Sequence, residues 1–153
     1  QWYKYEGGRF PNAEELRCMA FLAVAAGAKG LTWYSFYHGY KDNAAGWPDV
    51  ARIGRELRSV EDIVLAPYAD TRLRLEPPDA PVECMLKRTE GRLHIVLVNY
   101  SDAPTGPVTC RLSTPIASAR ERLGGAAVPA EGDAFTIELG AYEPKVVDVE
   151  LAR

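Results

Sequence analysis

The first clear pattern along the chain is a helical spacing of apolar residues after Pro11. The positions that follow the i, i+3, i+4, i+7 template are Leu16, Met19, Ala20, Ala23 and Gly27. Asn12 is a good N-cap, and Glu15 three residues later completes a capping box. Gly27 can adopt the positive φ that commonly ends a helix. Further apolar residues between these positions widen the stripe, so the pattern predicts a helix that is buried on more than one side.

A short apolar segment, residues 31–37, follows a Gly-containing connector. It is rich in aromatic and β-branched residues and is apolar on both faces, which is typical of an interior strand of a parallel sheet. After a loop over residues 38–46, Pro48 suits the first position of a second helix. The apolar stripe of this helix comprises Val50, Ile53, Leu57, Val60 and Val64. Helix, buried strand, loop and helix is an order typical of α/β proteins.

Beyond Pro67 the pattern changes to short runs separated by Pro, Gly and Asp. These runs lie at residues 71–76, 82–87, 93–100, 108–112, 117–123, 135–139 and 147–151. Most alternate apolar with polar residues, whereas residues 93–100 are apolar on both faces and are predicted to be a central strand. About seven or eight strands at this spacing favour an antiparallel β-sandwich. The sequence therefore predicts an α+β chain of two domains, residues 1–66 and 67–153.

Charge and composition narrow the classes of function. The chain has 153 residues, and its 18 Lys and Arg against 21 Asp and Glu give a formal net charge of −3. Domains that bind nucleic acid usually carry a basic excess, so we expect no nucleic-acid partner. The longest apolar run, residues 19–26, is shorter than the roughly 18 to 20 residues of a membrane span, so no membrane association is expected. The chain opens on Gln1 without an initiator Met or a signal-peptide pattern, which favours a mature or truncated product.

The sequence offers no pattern for a metal or a cofactor. Cys18, Cys84 and Cys110 are widely spaced, and no CxxC or Cys/His cluster is present. Three small buried thiols are the simplest interpretation. A Gly-rich phosphate-binding motif is also missing, so we expect neither a metal nor a cofactor.

Three segments of the first 66 residues share features with a known family. They are residues 9–17 (RFPNAEELR), residues 25–31 (AAGAKGL) and residues 33–37 (WYSFY). Together they resemble the last part of a TIM-barrel glycoside hydrolase of the beta-galactosidase-like clan. The resemblance implies that residues 1–66 are the terminal βα units of a (β/α)8 barrel. Residues 67–153 would then be the antiparallel β-sandwich that follows such a barrel.

The resemblance also implies where the catalytic groups of the family would lie. The acid/base carboxylate follows the fourth barrel strand, and the nucleophile follows the seventh. Neither matches a residue of this chain, because the seventh strand would end at about Gln1. Since a retaining hydrolase needs both carboxyl groups about 5 Å apart, the chain alone is expected to be inactive on glycosides.

Three residues are candidates for substrate binding by this resemblance. Trp33 resembles the Trp of the eighth strand that forms the floor of a sugar subsite, with a core aromatic as the alternative. His38 lies in the loop that follows this predicted strand, where barrels build their sites. Glu6 lies in a Gly-containing loop and could contact a sugar hydroxyl. A surface histidine and a solvated loop carboxylate are the alternatives for His38 and Glu6.

Other functions remain open at this stage. The sandwich could be a non-catalytic module that binds carbohydrate or a protein partner, although it has few aromatic residues, namely Tyr68, Tyr100, Phe135 and Tyr142. Phe135 is in phase with the core, and a charge run at residues 120–122 is most simply a solvated face. A plain structural domain is a third interpretation. The apolar helix and strand also need cover, which predicts packing on the sandwich, on upstream chain or on a second copy, the last giving a homo-oligomer.

Overall fold

The structure is a computed structural model and describes residues 9–33 and 43–152. Its helices are α1 (Ala13–Ala25), α2 (Trp47–Ser59) and α3 (Glu61–Leu65), with a 3-10 turn at Ala44–Gly46 before α2. Its strands are β1 (Leu73–Glu76), β2 (Val82–Thr89), β3 (Arg92–Asn99), β4 (Pro107–Leu112), β5 (Ile116–Glu121), β6 (Ala127–Val128), β7 (Ala130–Glu131), β8 (Ala134–Glu138) and β9 (Pro144–Leu151). None of the described helices is long and apolar enough to cross a membrane.

The strands form two antiparallel sheets that face each other. One has four strands in the order β1-β4-β8-β7, and the other has five in the order β2-β3-β9-β5-β6. Alternate residues of both sheets point into the space between them, among them Leu93, Ile95, Cys110, Phe135 and Val149. The predicted antiparallel sandwich is therefore confirmed, and Phe135 lies in its core.

The helices cover one half of the outer face of the five-stranded sheet. Apolar residues of α1, α3, β2, β3 and β9 share one cluster there, including Phe21, Ile63, Met85, Val96 and Val146. A different side of α1 packs against α2. This arrangement explains why α1 is buried on more than one side and why β3 is apolar on both faces. Three surfaces were predicted as possible packing partners of α1, and in the structure α1 packs on one of them, the sandwich sheet.

The ends of α1 agree with the sequence in detail. The Asn12 side chain accepts a hydrogen bond from the amide of Glu15 at 2.8 Å, and the Glu15 carboxylate accepts one from the amide of Asn12 at 2.9 Å. At the other end Gly27 has a φ of 94°, and the amide of Ala28 donates to the carbonyl of Ala23 at 2.9 Å. These bonds form a Schellman cap. A Cβ at Gly27 would also lie 2.5 Å from the Tyr68 hydroxyl, so a larger residue there would displace the exposed end of the Tyr68 side chain.

Two predicted elements differ from the structure. The second helix is divided at Val60, whose φ of −121° lies outside the helical range and separates α2 from α3. Residues 31–33 have no regular secondary structure, and Leu31 is exposed, although an interior strand was predicted over residues 31–37. The rest of that predicted strand lies outside the described residues. Within the described ranges all strand pairs are antiparallel.

The cap of α1 should make stability depend on acid pH. A bidentate ion pair with Arg9, with both N–O distances 2.6 Å, and the amide of Asn12 lower the pKa of Glu15 from 4.5 to about 2. The stabilisation is thus present above pH 4.5 and is lost as the pH falls towards 2. We expect Glu15→Gln to cost about 1 kcal/mol at neutral pH, because the pair is partly solvated.

Urea denaturation of both proteins across this pH range measures the effect. The difference between wild type and Glu15→Gln should shrink as the solution becomes acidic. Glu14→Gln, in the same helical turn, is the matched control and should leave the pH dependence unchanged. A constant difference between wild type and Glu15→Gln would contradict the assignment.

Candidate functional site

Trp33 lies at the junction of the two long helices. The cap at Gly27 turns the chain, and the following connector brings Trp33 against a small cluster between α1 and α2. The buried members of this cluster are Leu16, Ala20, Val50 and Ile53. The indole is half-buried, so part of its surface packs on the helices and part remains accessible.

A cavity of about 310 Å³ lies beside this tryptophan. Its walls come from the end of α1, the connector and the outer side of α2 and α3, and they include Val24, Leu31, Leu57 and Val64. Charged side chains among its described lining residues are Lys29, Arg58 and Glu61. Apolar walls with a few polar groups are typical of small-molecule sites. Glu61 is the single carboxylate among these described lining residues. The described lining therefore does not supply the pair of carboxylates that glycoside hydrolysis requires.

The other two predicted binding residues cannot be compared with this cavity. Glu6 and His38 lie outside the described residues, and their roles stay predictions. The role of Trp33 in sugar binding also stays a prediction, since the indole contacts core residues and lines the cavity at once.

The second candidate region is the half of the five-stranded sheet that the helices leave uncovered. Strand register places Lys87, His94, Asp148 and Arg120 in one row across β2, β3, β9 and β5. A neighbouring row contains Arg92, Glu150 and Ser118. Directly opposed residues share a face of the sheet, as do residues two apart, so both rows point outward. A groove of about 450 Å³ runs along them.

His94 is buried beneath this region and bonded on both ring nitrogens. Its Nδ1 lies 2.7 Å from Asp148 Oδ1, and its Nε2 lies 2.7 Å from Thr89 Oγ1. Burial raises the pKa of Asp148, but the hydrogen bond and charge of His94 and the charges of Arg122 and Arg92 outweigh it. The pKa of Asp148 therefore lies below its ordinary value, and the carboxylate is ionised at neutral pH.

Lys87 stands at the covered end of the first row. Its side chain is 2% exposed, and its Nζ donates to the carbonyl of Ala66 at 2.8 Å and lies 3.8 Å above the ring of Tyr68. Burial lowers the pKa of this amine, and the charge of Lys29 lowers it further. The amine thus ties the end of α3 to the sheet and is closed to solvent.

The charge run at residues 120–122 does not form one solvated face. Glu121 points inward, is 9% exposed, and accepts hydrogen bonds from the amides of Leu123 and Gly124. Arg122 binds Asp62 of α3 at 2.9 Å and so joins the helices to the sheet. Only Arg120 keeps the predicted exposure. The sequence could not show these partners, because Asp62 is 60 residues away along the chain.

Two further classes of chemistry find no support in the described part of the chain. Its cysteines form no disulfide and are at least half-buried, and burial raises the pKa of Cys110 to about 12, so this thiol is a poor nucleophile. In the same ranges no group of three or more His, Cys, Asp or Glu side chains could hold a metal ion.

An aromatic platform for sugars is also missing from the described sandwich. Tyr68 and Tyr100 are its large exposed aromatic residues. Tyr68 forms a β-bridge with Lys87 of β2, and the amide of Tyr100 donates to the carbonyl of Pro81, just before β2. Pro81 and Lys87 are six residues apart along the same extended chain. At about 3.3 Å per residue these contacts are about 20 Å apart, so the two rings do not form one surface.

Comparison with known proteins identifies a fold but not a sequence family. No family model matches the chain, and no curated protein matches it. Among solved structures, a GH27 β-L-arabinopyranosidase from Geobacillus stearothermophilus matches 94% of this chain with a TM-score of 0.61 and 17% identity. A candidate α-N-acetylgalactosaminidase from Bacillus halodurans matches 97% with a TM-score of 0.61 and 14% identity. A candidate α-galactosidase/melibiase from Bacteroides fragilis matches 94% with a TM-score of 0.56 and 13% identity.

These structures are all glycoside hydrolases, and they are much longer than this chain. The matched region is 32%, 34% and 30% of their respective lengths. At such low identity the likeness shows the fold alone. The resemblance to glycoside hydrolases is therefore confirmed for the fold. The chain has the fold of a part of these enzymes, and this part contains a β-sandwich.

Proposed function

We propose that this chain is the C-terminal part of a glycoside hydrolase that acts on carbohydrate only within a complete barrel. In this proposal residues 1–66 are the last βα units of the barrel and residues 67–153 are the sandwich. The observation that carries it is the extent of the structural match. One third of each hydrolase aligns with at least 94% of this chain, helices and sandwich together.

The proposal assigns separate tasks to this chain and to the polypeptide that would complete the barrel. The catalytic carboxylates belong to the latter. Trp33, His38 and Glu6 are proposed to contact the sugar, with Trp33 acting through its indole face. Exposed Leu31 and Leu65, which line the cavity beside Trp33, offer apolar surface that further barrel units would cover.

Enzyme assays on two forms of the protein test this function. The first form is the 153-residue chain, and the second is the same chain extended by the reading frame that precedes Gln1. Nitrophenyl derivatives of α-galactose, β-L-arabinopyranose and α-N-acetylgalactosamine are suitable substrates, since the structural neighbours carry the names of enzymes for these sugars. We expect turnover by the extended protein and none by the chain alone.

Two results would contradict the proposal. One is turnover by the chain alone that a substitution within it abolishes. The other is an upstream frame without further βα units, which would favour a non-catalytic binding module. In an active extended protein, Trp33→Ala should raise KM while Trp47→Phe, at the start of α2, serves as the control for aromatic packing between the helices.

A further inference from the structure

Two opposite charges that face each other without pairing, Arg120 and Asp148, lie on the uncovered half of the five-stranded sheet. Arg120 of β5 and Asp148 of β9 are directly opposed and lie on the same face. Opposite charges in such positions normally pair. Here Arg120 Nε donates to the carbonyl of Gly125 at 3.0 Å, and no carboxylate of the described residues lies within 4.0 Å of its guanidinium. Both side chains line the same groove, which therefore presents a donor from β5 and an acceptor from β9.

The acceptor side of this space is held in place from below. His94 fixes Asp148 Oδ1 at 2.7 Å, and Thr89 fixes the other ring nitrogen of His94 at 2.7 Å. Since His94 is 3% exposed, the imidazole cannot swing away into solvent. An ionised carboxylate with a fixed direction is prepared to accept hydrogen bonds without losing much side-chain entropy on binding.

The neighbouring row extends the same chemistry along the groove. Glu150 binds Arg92 at 2.8 Å through Oε1 and accepts a hydrogen bond from Ser118 Oγ at 3.1 Å through Oε2. Guanidinium, carboxylate and hydroxyl groups thus alternate over a groove of about 450 Å³. A ligand lying here meets donors and acceptors at short intervals.

Charge balance decides the class of ligand. Glu150 pairs with Arg92, and Arg122 at the rim lies 2.9 Å from Asp62 and 3.7 Å from Asp148 Oδ1. Together with Arg120, three guanidinium groups stand against these three carboxylates, so their charges cancel. A simple anion or cation therefore gains no net attraction. A vicinal diol fits better, because each hydroxyl can accept from a guanidinium and donate to a carboxylate at once.

We propose that this groove binds a saccharide through a vicinal diol bridging Arg120 and Asp148. The site lies on the sandwich and does not include Trp33, so it is independent of the function proposed above. The described residues that line it include no aromatic ring, so stacking adds nothing to the affinity. Hydrogen bonds that compete with water give a dissociation constant on the order of millimolar.

Amide NMR spectra of the ¹⁵N-labelled chain test the site with defined sugars. The probes are the methyl glycosides of galactose, glucose and mannose, each compared with its fully O-methylated form, which lacks hydroxyl donors. At least one free glycoside should shift the amides of Ser118, Arg120, Asp148 and Glu150 in a saturable manner. Its O-methylated form should bind about tenfold more weakly or not at all, because it cannot donate to Asp148.

Substitutions at the groove separate this site from other surfaces. Arg120→Ala and Arg120→Met should each weaken binding about tenfold. The methionine variant keeps the apolar part of the side chain, so it serves as the test if the alanine variant disturbs the fold. Arg74→Ala, at an exposed position of the four-stranded sheet, is the matched control and should bind as wild type does. Absence of saturable shifts with all three sugars overturns the proposal, and so does binding that both Arg120 variants retain in full.

Discussion

Replacing Phe21 by Ala is expected to lower the free energy of unfolding by about 3 to 5 kcal/mol. Phe21 is 0% exposed and belongs to the core that α1 shares with the five-stranded sheet. Its ring lies in a cluster with Val96, Val98 and Val146, so its removal leaves a cavity between two layers. The loss should appear as a lower midpoint in urea, followed by circular dichroism and by tryptophan fluorescence.

Whether Phe21→Ala unfolds in one step or in two tests whether the helices and the sandwich share one core. Because the helices and the sandwich share a core, both signals should change together in one transition. Phe135→Ala, in the core between the sheets, should cost a similar amount, and exposed Glu14→Ala should change stability by less than about 0.5 kcal/mol. A Phe21→Ala protein that unfolds in two steps, with the sandwich as stable as before, would contradict the shared core. That outcome would support the predicted division at residues 66 and 67.

Local elements of the fold could be predicted from the sequence because short-range physics determines them. The capping box of Asn12 and Glu15, the positive φ of Gly27 and the position of Pro48 at the start of α2 depend on neighbours within one helical turn. The spacing of apolar residues likewise predicted seven of the nine described strands within a few residues and missed the two-residue strands β6 and β7. These signals do not require knowledge of distant partners.

The sequence does not show in the same way which element packs against each apolar face. The pattern showed correctly that β3 and α1 are buried on two sides, but it left the sandwich, upstream chain and a second copy as possible covers of the first helix. In the structure α1 lies between α2 and the outer face of the sandwich sheet. Apolar periodicity reports how much of an element is covered, but the identity of the cover depends on contacts such as that between Phe21 and β3.

Polar residues on the outer sheet face show the same limit. Lys87 alternates with apolar residues in β2, so the pattern places it on a solvent face, yet the end of α3 and Tyr68 enclose it. The partners of His94 could not be predicted from the sequence either. Asp148 is 54 residues away and meets His94 only through the pairing of β3 with β9. The candidate groove was missed for this reason, since its rows exist only once the strand order is known.

Replacing His94 by Ala is expected to cost about 2 to 4 kcal/mol, through the lost ring volume and the two polar partners left behind. The imidazole is 3% exposed and bonds both Thr89 and Asp148 at 2.7 Å. Thr89→Val keeps the shape of the side chain and removes one of these bonds, so it should cost about 1 kcal/mol. Urea unfolding at neutral pH measures both values. A His94→Ala protein within about 0.5 kcal/mol of wild type would show that the network adds no stability.

Acid titration distinguishes the charge of Asp148 from the packing of His94. The folded pKa of Asp148 lies below its ordinary value of 3.8, so the ionised carboxylate stabilises the fold. This contribution is present above pH 3.8 and is lost as the pH falls through the folded pKa. Asp148→Asn keeps an oxygen for His94 Nδ1 and removes the charge, so its stability should fall less steeply in this acid range than that of wild type. Parallel curves for the two proteins would show that the folded pKa of Asp148 does not lie below its ordinary value and that its charge adds no stability.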